Sequence, residues 1–442
     1  MKKIYFLGGA LLLPFILLSK TIPYQEGWPV DITEELSSII KIADIDNDNI
    51  KELVLVGLPN NYQPNKLYVF NNIGQIKEGF PIEGGIYFTG FPTLCDLDDN
   101  GKMEIIATWY GLHLIDDNGN EIWYHPYDGE IFQSKYLPYM TSVDDLDNDG
   151  KKEIVVTCYS GGAVFVFEPD GSVREGWPVI MGGDSLGGAS IADIDQDGLK
   201  EIILASDKIY CFKPDGSNCP GFPFSPEDRN WGSLYKPLLI DSNKDGFLEI
   251  IICVWGYSGV RIVMIDHNAN IVPPYPLYGF NVAHLRVGDI NFDSSYDLVF
   301  SRGNEYGGIY VYDINTLKLF PNFPILRYQD SDGLWVYGRP NLADLSDSYG
   351  EEIIVGAGNG GWVPDGKLFA FDLEGNLVEG FPSEFLYHRV LSTGCSVDDL
   401  DGDGDVEICC GSMNGEWVVP LHSTIFCWDS PHPWNRDMAD WM

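Results

Sequence analysis

The chain has 442 residues, with 66 acidic against 27 basic side chains and a formal net charge of −39. That balance excludes a nucleic-acid binder, whose polyanionic partner demands a basic surface. Glycine (49), tyrosine (24), phenylalanine (23) and tryptophan (12) are abundant, a mixture that suits short strands joined by tight turns.

The N-terminus reads MKKIYFLGGALLLPFILLSK, two lysines followed by a mostly apolar run. This predicts an export signal over residues 1–21, cut near Ser19 to Thr21. The lack of a small-x-small cleavage pattern leaves an uncleaved membrane anchor as the alternative, and only then would a membrane be a partner. No later run reaches the ~18 apolar residues that a span needs. Residues 22–442 are expected to form one domain outside the cytoplasm.

From there on the chain repeats itself. An acidic loop of the form DIDQDGLKE recurs with its first aspartate at Asp44, Asp96, Asp145, Asp193, Asp241, Asp289, Asp344 and Asp399. A period of roughly fifty residues signals a propeller, a solenoid or an array. Each unit has the same parts in the same order. A short apolar segment leads into the loop, and a β-branched run follows (EIVVTC, EIILAS, EIIICVW, EIIVGAG). An alternating strand then ends in a turn (KLYVFNNIG, AVFVFEPDG, KIYCFKPDG, KLFAFDLEG), and a trailer closes the unit (EGFPI, EGWPV, PGFPF, EGFPS). Four short strands per unit and no amphipathic helix predict an all-β fold, a β-propeller of four-stranded blades. Eight loops predict eight blades; seven, with one unit outside the ring, is the alternative. Residues 24–30, YQEGWPV, are a trailer without a unit, and the last unit lacks its trailer. The N-terminal strand is therefore expected to complete the last blade and remove the exposed sheet edges.

Counting from the first aspartate, positions 1, 3, 5 and 9 of the loops carry oxygen side chains and position 6 is usually glycine. Alternate residues of a tight loop face inward, so these oxygens can surround one cation, and a set of hard oxygen ligands suits Ca²⁺ rather than zinc or copper. Six loops fit, implying about six structural Ca²⁺ sites. They are Asp44, Asp46, Asp48, Glu52; Asp96, Asp98, Asn100, Glu104; Asp145, Asp147, Asp149, Glu153; Asp193, Asp195, Asp197, Glu201; Asp241, Asn243, Asp245, Glu249; and Asp399, Asp401, Asp403, Glu407. The first has Asn49 in place of glycine, and Asn tolerates left-handed backbone angles. The copy at Asp289, with Asn291, Asp293 and Asp297, has Ser294 there and is a weaker match. The copy at Asp344 offers Ser346 and Ser348 and is expected to keep only the turn. A helical Ca²⁺ loop closes with a glutamate at position 12; here the loop closes at 9 and strands follow.

The pattern ADIDQDGLKEIILAS, repeated and followed by GFP or GWP, resembles the FG-GAP or VCBS repeat of integrin α-subunit head propellers and secreted bacterial proteins. The resemblance covers about residues 24–430. It implies a β-propeller with Ca²⁺ between the first and second strands of a blade. Integrin-type rings have seven blades, against eight loops here. Relatives include protein binders and polysaccharide-cleaving enzymes.

Catalytic signatures are lacking. GDSLG at 183–187 matches G-x-S-x-G, but a glycine-rich loop leads from Ser185 into a strand, and a nucleophile elbow needs a helix there. The expected function is a non-catalytic, exported binding scaffold for an extracellular protein or glycan ligand. The alternative is a polysaccharide lyase or glycosidase on the same ring. A ligand is expected on the face opposite the Ca²⁺ loops, where loops carry Trp109, Tyr110, Tyr159, Trp255, Tyr257, Trp335, Trp362 and Trp417, aromatics suited to stacking or anchoring. Among nine cysteines, Cys211 and Cys219 flank a turn and can pair, as can Cys410 and Cys427.

Overall fold

The computed structural model describes residues 22–36, 39–58, 64–85, 90–184, 187–225, 236–256, 259–278, 282–302, 308–326, 335–336, 338–346, 349–358, 365–386, 388–414 and 423–433. All elements among them are strands. Eight antiparallel four-stranded blades form an eight-bladed β-propeller, which decides the blade count. The inner strands are Lys41–Ala43, Thr93–Cys95, Pro138–Asp144, Ser190–Ala192, Leu238–Ile240, Val282–Gly288, Asn341–Ala343 and His388–Asp398. Each pairs with a β-branched second strand across the acidic loop, as Ile191 does with Ile202 and Leu239 with Ile250.

The core is divided into eight layers, each between two neighbouring blades. Ile203 and Ala205 of blade 4 pack with Ile250, Ile252 and Val254 of blade 5. Leu53 and Leu55 of blade 1 pack with Cys409, Ile425 and Cys427 of blade 8. Both faces of each blade are buried, so its central strands read as near-continuous apolar runs rather than alternating ones. Each fully buried Ile, Leu, Val or Phe contributes roughly 1.5–3 kcal/mol.

The predicted closure is present. Strand Val30–Ile32 pairs antiparallel with Ser423–Pro433, with Val30 opposite Ile425 and Ile32 opposite Ser423. The Asp31 carboxylate accepts a 2.5 Å bond from the Thr424 hydroxyl. Near the axis, polar side chains on the inner strands tie several blades to the next. Ser142 Oγ donates to Ala189 O at 2.7 Å, Ser190 Oγ to Pro237 O at 2.5 Å, and Asn341 Nδ2 to Cys395 O at 3.1 Å. Ser396 Oγ donates to Ile40 O, carrying the same link from blade 8 to blade 1.

The trailer also has a structural role. Its glycine sits at positive φ, 86° at Gly27 and 92° at Gly79. A Cβ on Gly27 would lie 2.0 Å from Ile73 O of the next blade's hairpin, so only glycine fits. The aromatic that follows is buried at Trp28, Trp177, Phe222, Phe323 and Phe381 and half-buried at Phe80, and the indole of Trp28 donates to Asn72 O at 2.8 Å as that of Trp177 does to Pro214 O at 3.0 Å. The aromatic–proline peptide is cis at Trp28, Phe80, Trp177, Phe222, Phe323 and Phe381.

Two disulfides are formed, Cys211–Cys219 and Cys409–Cys427. The first is the expected pair. The second corrects the expectation for Cys410. Neighbouring residues of a strand point to opposite faces, so Cys409 meets Cys427 directly across the ladder while Cys410 lies opposite Cys395.

Candidate metal loops and the opposite face

The acidic loops share one hydrogen-bonded frame. In the first six loops the first aspartate accepts the amides of positions 5 and 6, as in Asp197 N and Gly198 N to Asp193 at 3.1 and 3.0 Å, while Asp399 accepts the amide of Gly402 at position 4, at 2.8 Å. The position-5 carboxylate accepts the amide of position 7, as in Leu199 N to Asp197 at 2.9 Å. The position-9 glutamate turns one oxygen back to the amide of position 2. Ile194 N reaches Glu201 Oε2 at 3.0 Å, Leu146 N reaches Glu153 at 2.9 Å and Leu97 N reaches Glu104 at 2.8 Å. Positions 4 and 6 both have positive φ, for example Gln196 at 61° and Gly198 at 90°. Asn49 at 70° and Ser294 at 69° adopt the position-6 geometry without glycine. The left-handed residue at position 4 was not foreseen, although Asn47, Asp99 and Asn148, residue types that tolerate it, stand there. The seventh loop keeps the frame through Leu345 N to Glu352 at 2.6 Å, with Ser346 Oγ on the other oxygen.

Carboxylate oxygens converge within 4.8 Å of one another in five loops: Asp44, Asp46, Asp48; Asp96, Asp98, Glu104; Asp145, Asp147, Glu153; Asp193, Asp195, Asp197; and Asp399, Asp401, Glu407. The fifth loop carries an amide instead. Asn243 Nδ2 donates to Asp245 at 3.0 Å and Glu249 at 3.2 Å. Asn100, Asp149 and Asp403 sit at position 5 and accept the amides of Lys102, Lys151 and Asp405. In the sixth loop Asp293 does the same for Ser295 N at 2.7 Å.

The donor sets fit a hard cation. Glu201 is fully buried, its Oε1 has no partner, and burial, reinforced by Asp195 and Asp197, pushes its carboxyl up to about 7. Burial likewise pushes Glu153 to about 7 and Glu407 to about 8. A buried carboxylate with a free oxygen beside two more acids is short of positive charge. Three loops are met by basic side chains of their own blade. Lys77 pairs with Asp46 and with Glu52 at 3.3 Å. Arg174 pairs with Asp147, with Glu153 at 3.0 Å and with Glu168 at 3.5 Å, and Lys213 pairs with Asp197 at 2.6 Å. Such a charge competes with a metal. Sequence order did not reveal these pairs, because the base comes from the next hairpin.

On the opposite face, Trp109 corrects the expectation of an exposed anchor. It is 4% exposed and packs between blades 1 and 2 with Val54, Leu67 and Ile105. Gly84 leaves room for it, since a Cβ there would lie 2.5 Å from the indole. Tyr110 is half-buried, edge-on to Tyr127 at 5.4 Å. Tyr159 is 45% exposed, edge-on to Tyr139 at 5.7 Å. Trp255 and Trp335 lie on strands Glu249–Gly256 and Trp335–Val336, with their side chains outside the description. Tyr257, Trp362, Trp417 and Ser185 lie outside the described residues. Among the described residues, no helix is long and apolar enough to cross a membrane.

The family model for an FG-GAP-like repeat matches residues 145–204, which hold the third and fourth loops. No curated protein matches. Among solved structures, the chain is similar to the biofilm matrix protein Bap1 of V. cholerae. That match has 11% identity over 95% of this chain and 92% of that one, with a TM-score of 0.61. It is also similar to the quinohemoprotein alcohol dehydrogenase of Comamonas testosteroni, at 10% identity over 94% and 77% with a TM-score of 0.55. A europium-containing methanol dehydrogenase matches at 10% over 91% and 93%, TM-score 0.53. At these identities the likeness is one of fold.

Proposed function

The chain being an FG-GAP repeat β-propeller, we propose that it is an exported binding scaffold whose blades are braced by Ca²⁺ and whose ligand is an extracellular protein or glycan. One observation carries the metal reading: all-oxygen clusters recur at the same place in successive blades, each locking its loop through a buried glutamate such as Glu201. Residues Asp44 to Glu52, Asp96 to Glu104, Asp145 to Glu153, Asp193 to Glu201, Asp241 to Glu249 and Asp399 to Glu407 would supply the ligands. A bound ion would neutralise carboxylates that otherwise repel and would fix the inner strand to the second strand. Two disulfides support export, because such bonds persist in oxidising compartments. A biofilm matrix protein with the same fold is in keeping with a scaffold outside the cell.

The ligand face is assigned to the loops opposite the metal loops, around Tyr159 and Tyr110 and the segments holding Tyr257, Trp362 and Trp417. The deciding experiment is metal analysis of the purified protein with a glycan and secretome binding screen in Ca²⁺ and in EGTA. Binding that requires several equivalents of Ca²⁺ is expected. A metal-free protein that binds and melts as the loaded one does would overturn the reading.

A further inference from the structure

One register position recurs around the ring. It stands three residues before the trailer aromatic, and its amide donates to the third strand of the same blade. Gln25 N reaches Cys427 O at 3.0 Å, Lys77 N reaches Val69 O at 2.9 Å and Arg174 N reaches Val166 O at 2.9 Å. In blades 4 to 7 the position holds Cys219, Val272, Phe320 and Val378.

Where this side chain is polar, it turns to position 3 of its own blade's acidic loop. Lys77 pairs with Asp46 and, at 3.3 Å, with Glu52. Arg174 pairs with Asp147 and, at 3.0 Å, with Glu153. Gln25 Nε2 donates to Asp401 Oδ2 at 2.6 Å. Two loops are thus given a built-in cation between positions 3 and 9, and the eighth is given a neutral amide. Among the described residues, no ion pair reaches Asp399, Asp401, Asp403 or Glu407, and the nearby Lys51 is taken by Asp398. Yet Glu407 is 1% exposed, and oxygens of Asp399, Asp401 and Glu407 converge within 4.8 Å of one another. Gln25 is itself buried and belongs to the segment that closes the ring. Beside it Tyr24 bridges to Trp428, and Asp429 N donates to Pro23 O at 3.0 Å.

We propose that Gln25 makes the eighth loop a metal-dependent latch on ring closure: a divalent cation there fastens residues 22–32 to the last blade, whereas Lys77 and Arg174 fasten their own trailers without metal. The inference rests on the metal reading above and adds what the ion in this one loop holds. Hard cations also take amide carbonyl oxygens, and glutamine presents one by turning its terminal amide over. A lysine or arginine has no such oxygen and repels the ion. The effect is reciprocal: whatever the metal adds to closure, closure adds to metal affinity.

Hydrogen exchange of the full chain in Ca²⁺ and in EGTA tests it, with metal equivalents counted by elemental analysis. Removing Ca²⁺ should speed exchange at Gln25 and at Val30–Ile32 at least about tenfold, the factor supplied by a ligand at ten times its Kd. Exchange at Lys77 and Arg174 should change far less, because a base remains in those loops. Gln25→Arg should bind one equivalent fewer and keep Val30–Ile32 protected in EGTA. Arg174→Gln is the reciprocal variant, and should make protection of the third blade's trailer depend on Ca²⁺. A parent that binds metal but exchanges alike at its N-terminal segment in Ca²⁺ and EGTA overturns the latch and leaves the metal reading standing. So does a folded Gln25→Arg protein that keeps every equivalent. A parent that binds no Ca²⁺ overturns both.

Discussion

Lys51 in the first blade is ion-paired with Asp398 in the last, and Lys200 in the fourth is paired with Asp144 in the third. The two contacts are the same contact. Each lysine stands at position 8 of its loop, and each acid directly precedes the first aspartate of the preceding blade. The seam between the chain ends is thus built like the joints within the chain. Lys51→Ala should cost about 1 kcal/mol, since both groups are partly exposed. Deleting residues 22–32 should cost far more, because it leaves Ser423–Pro433 as an open edge. Urea denaturation with light scattering checks both; a deletion variant that stays monomeric with the parental midpoint refutes the closure.

Ca²⁺ should raise the melting temperature relative to EGTA, as any ligand of the native state alone must. The pair Asp195→Ala, Asp197→Ala should remove one metal equivalent, measured by elemental analysis. Arg174→Gln should tighten Ca²⁺ at the third loop, because it withdraws a cation that faces Asp147 and Glu153; about tenfold is expected for one charge at that range. Weaker binding in that variant would show Arg174 to be part of the site.

Trp109 and Tyr159 should behave oppositely. Trp109→Ala empties a buried interblade position and should cost about 3–5 kcal/mol. Tyr159→Ala changes an exposed ring and should stay within about 0.5 kcal/mol, while weakening any ligand bound on that face. Denaturation and binding curves measured on the same preparations separate the two effects.

Non-reducing peptide mapping should link Cys409 to Cys427 and Cys211 to Cys219, and leave Cys410 free. Replacing Cys409 and Cys427 by serine should cost about 3 kcal/mol, the entropy of a loop of this size. A Cys410–Cys427 peptide would restore the pairing expected from sequence.

The blades were legible because their signal is periodic: an acidic loop and a β-branched run return at nearly constant spacing, and a repeat this regular can only stack or close. The acidic clusters were legible for the same reason, since Asp193, Asp195, Asp197 and Glu201 are local in sequence. What was hidden depends on long-range geometry. Trp109 and Tyr159 occupy equivalent loops, yet one is covered because Gly84 leaves space above it and the other is not. Cys409 and Cys410 are adjacent, and only the register of the ladder says which meets Cys427.

The Thr424–Asp31 bond joins residues 393 apart in sequence. At about 5–20 residues per second, the ribosome adds that much chain in roughly 20–80 s. Throughout that interval the first segment made has no partner, and the strand awaiting it does not yet exist. The molecule therefore cannot be finished blade by blade as it emerges. A chain stalled before Thr424 would leave Asp31 and its strand without their partner, so the closing of the last blade also reports whether synthesis has passed that residue.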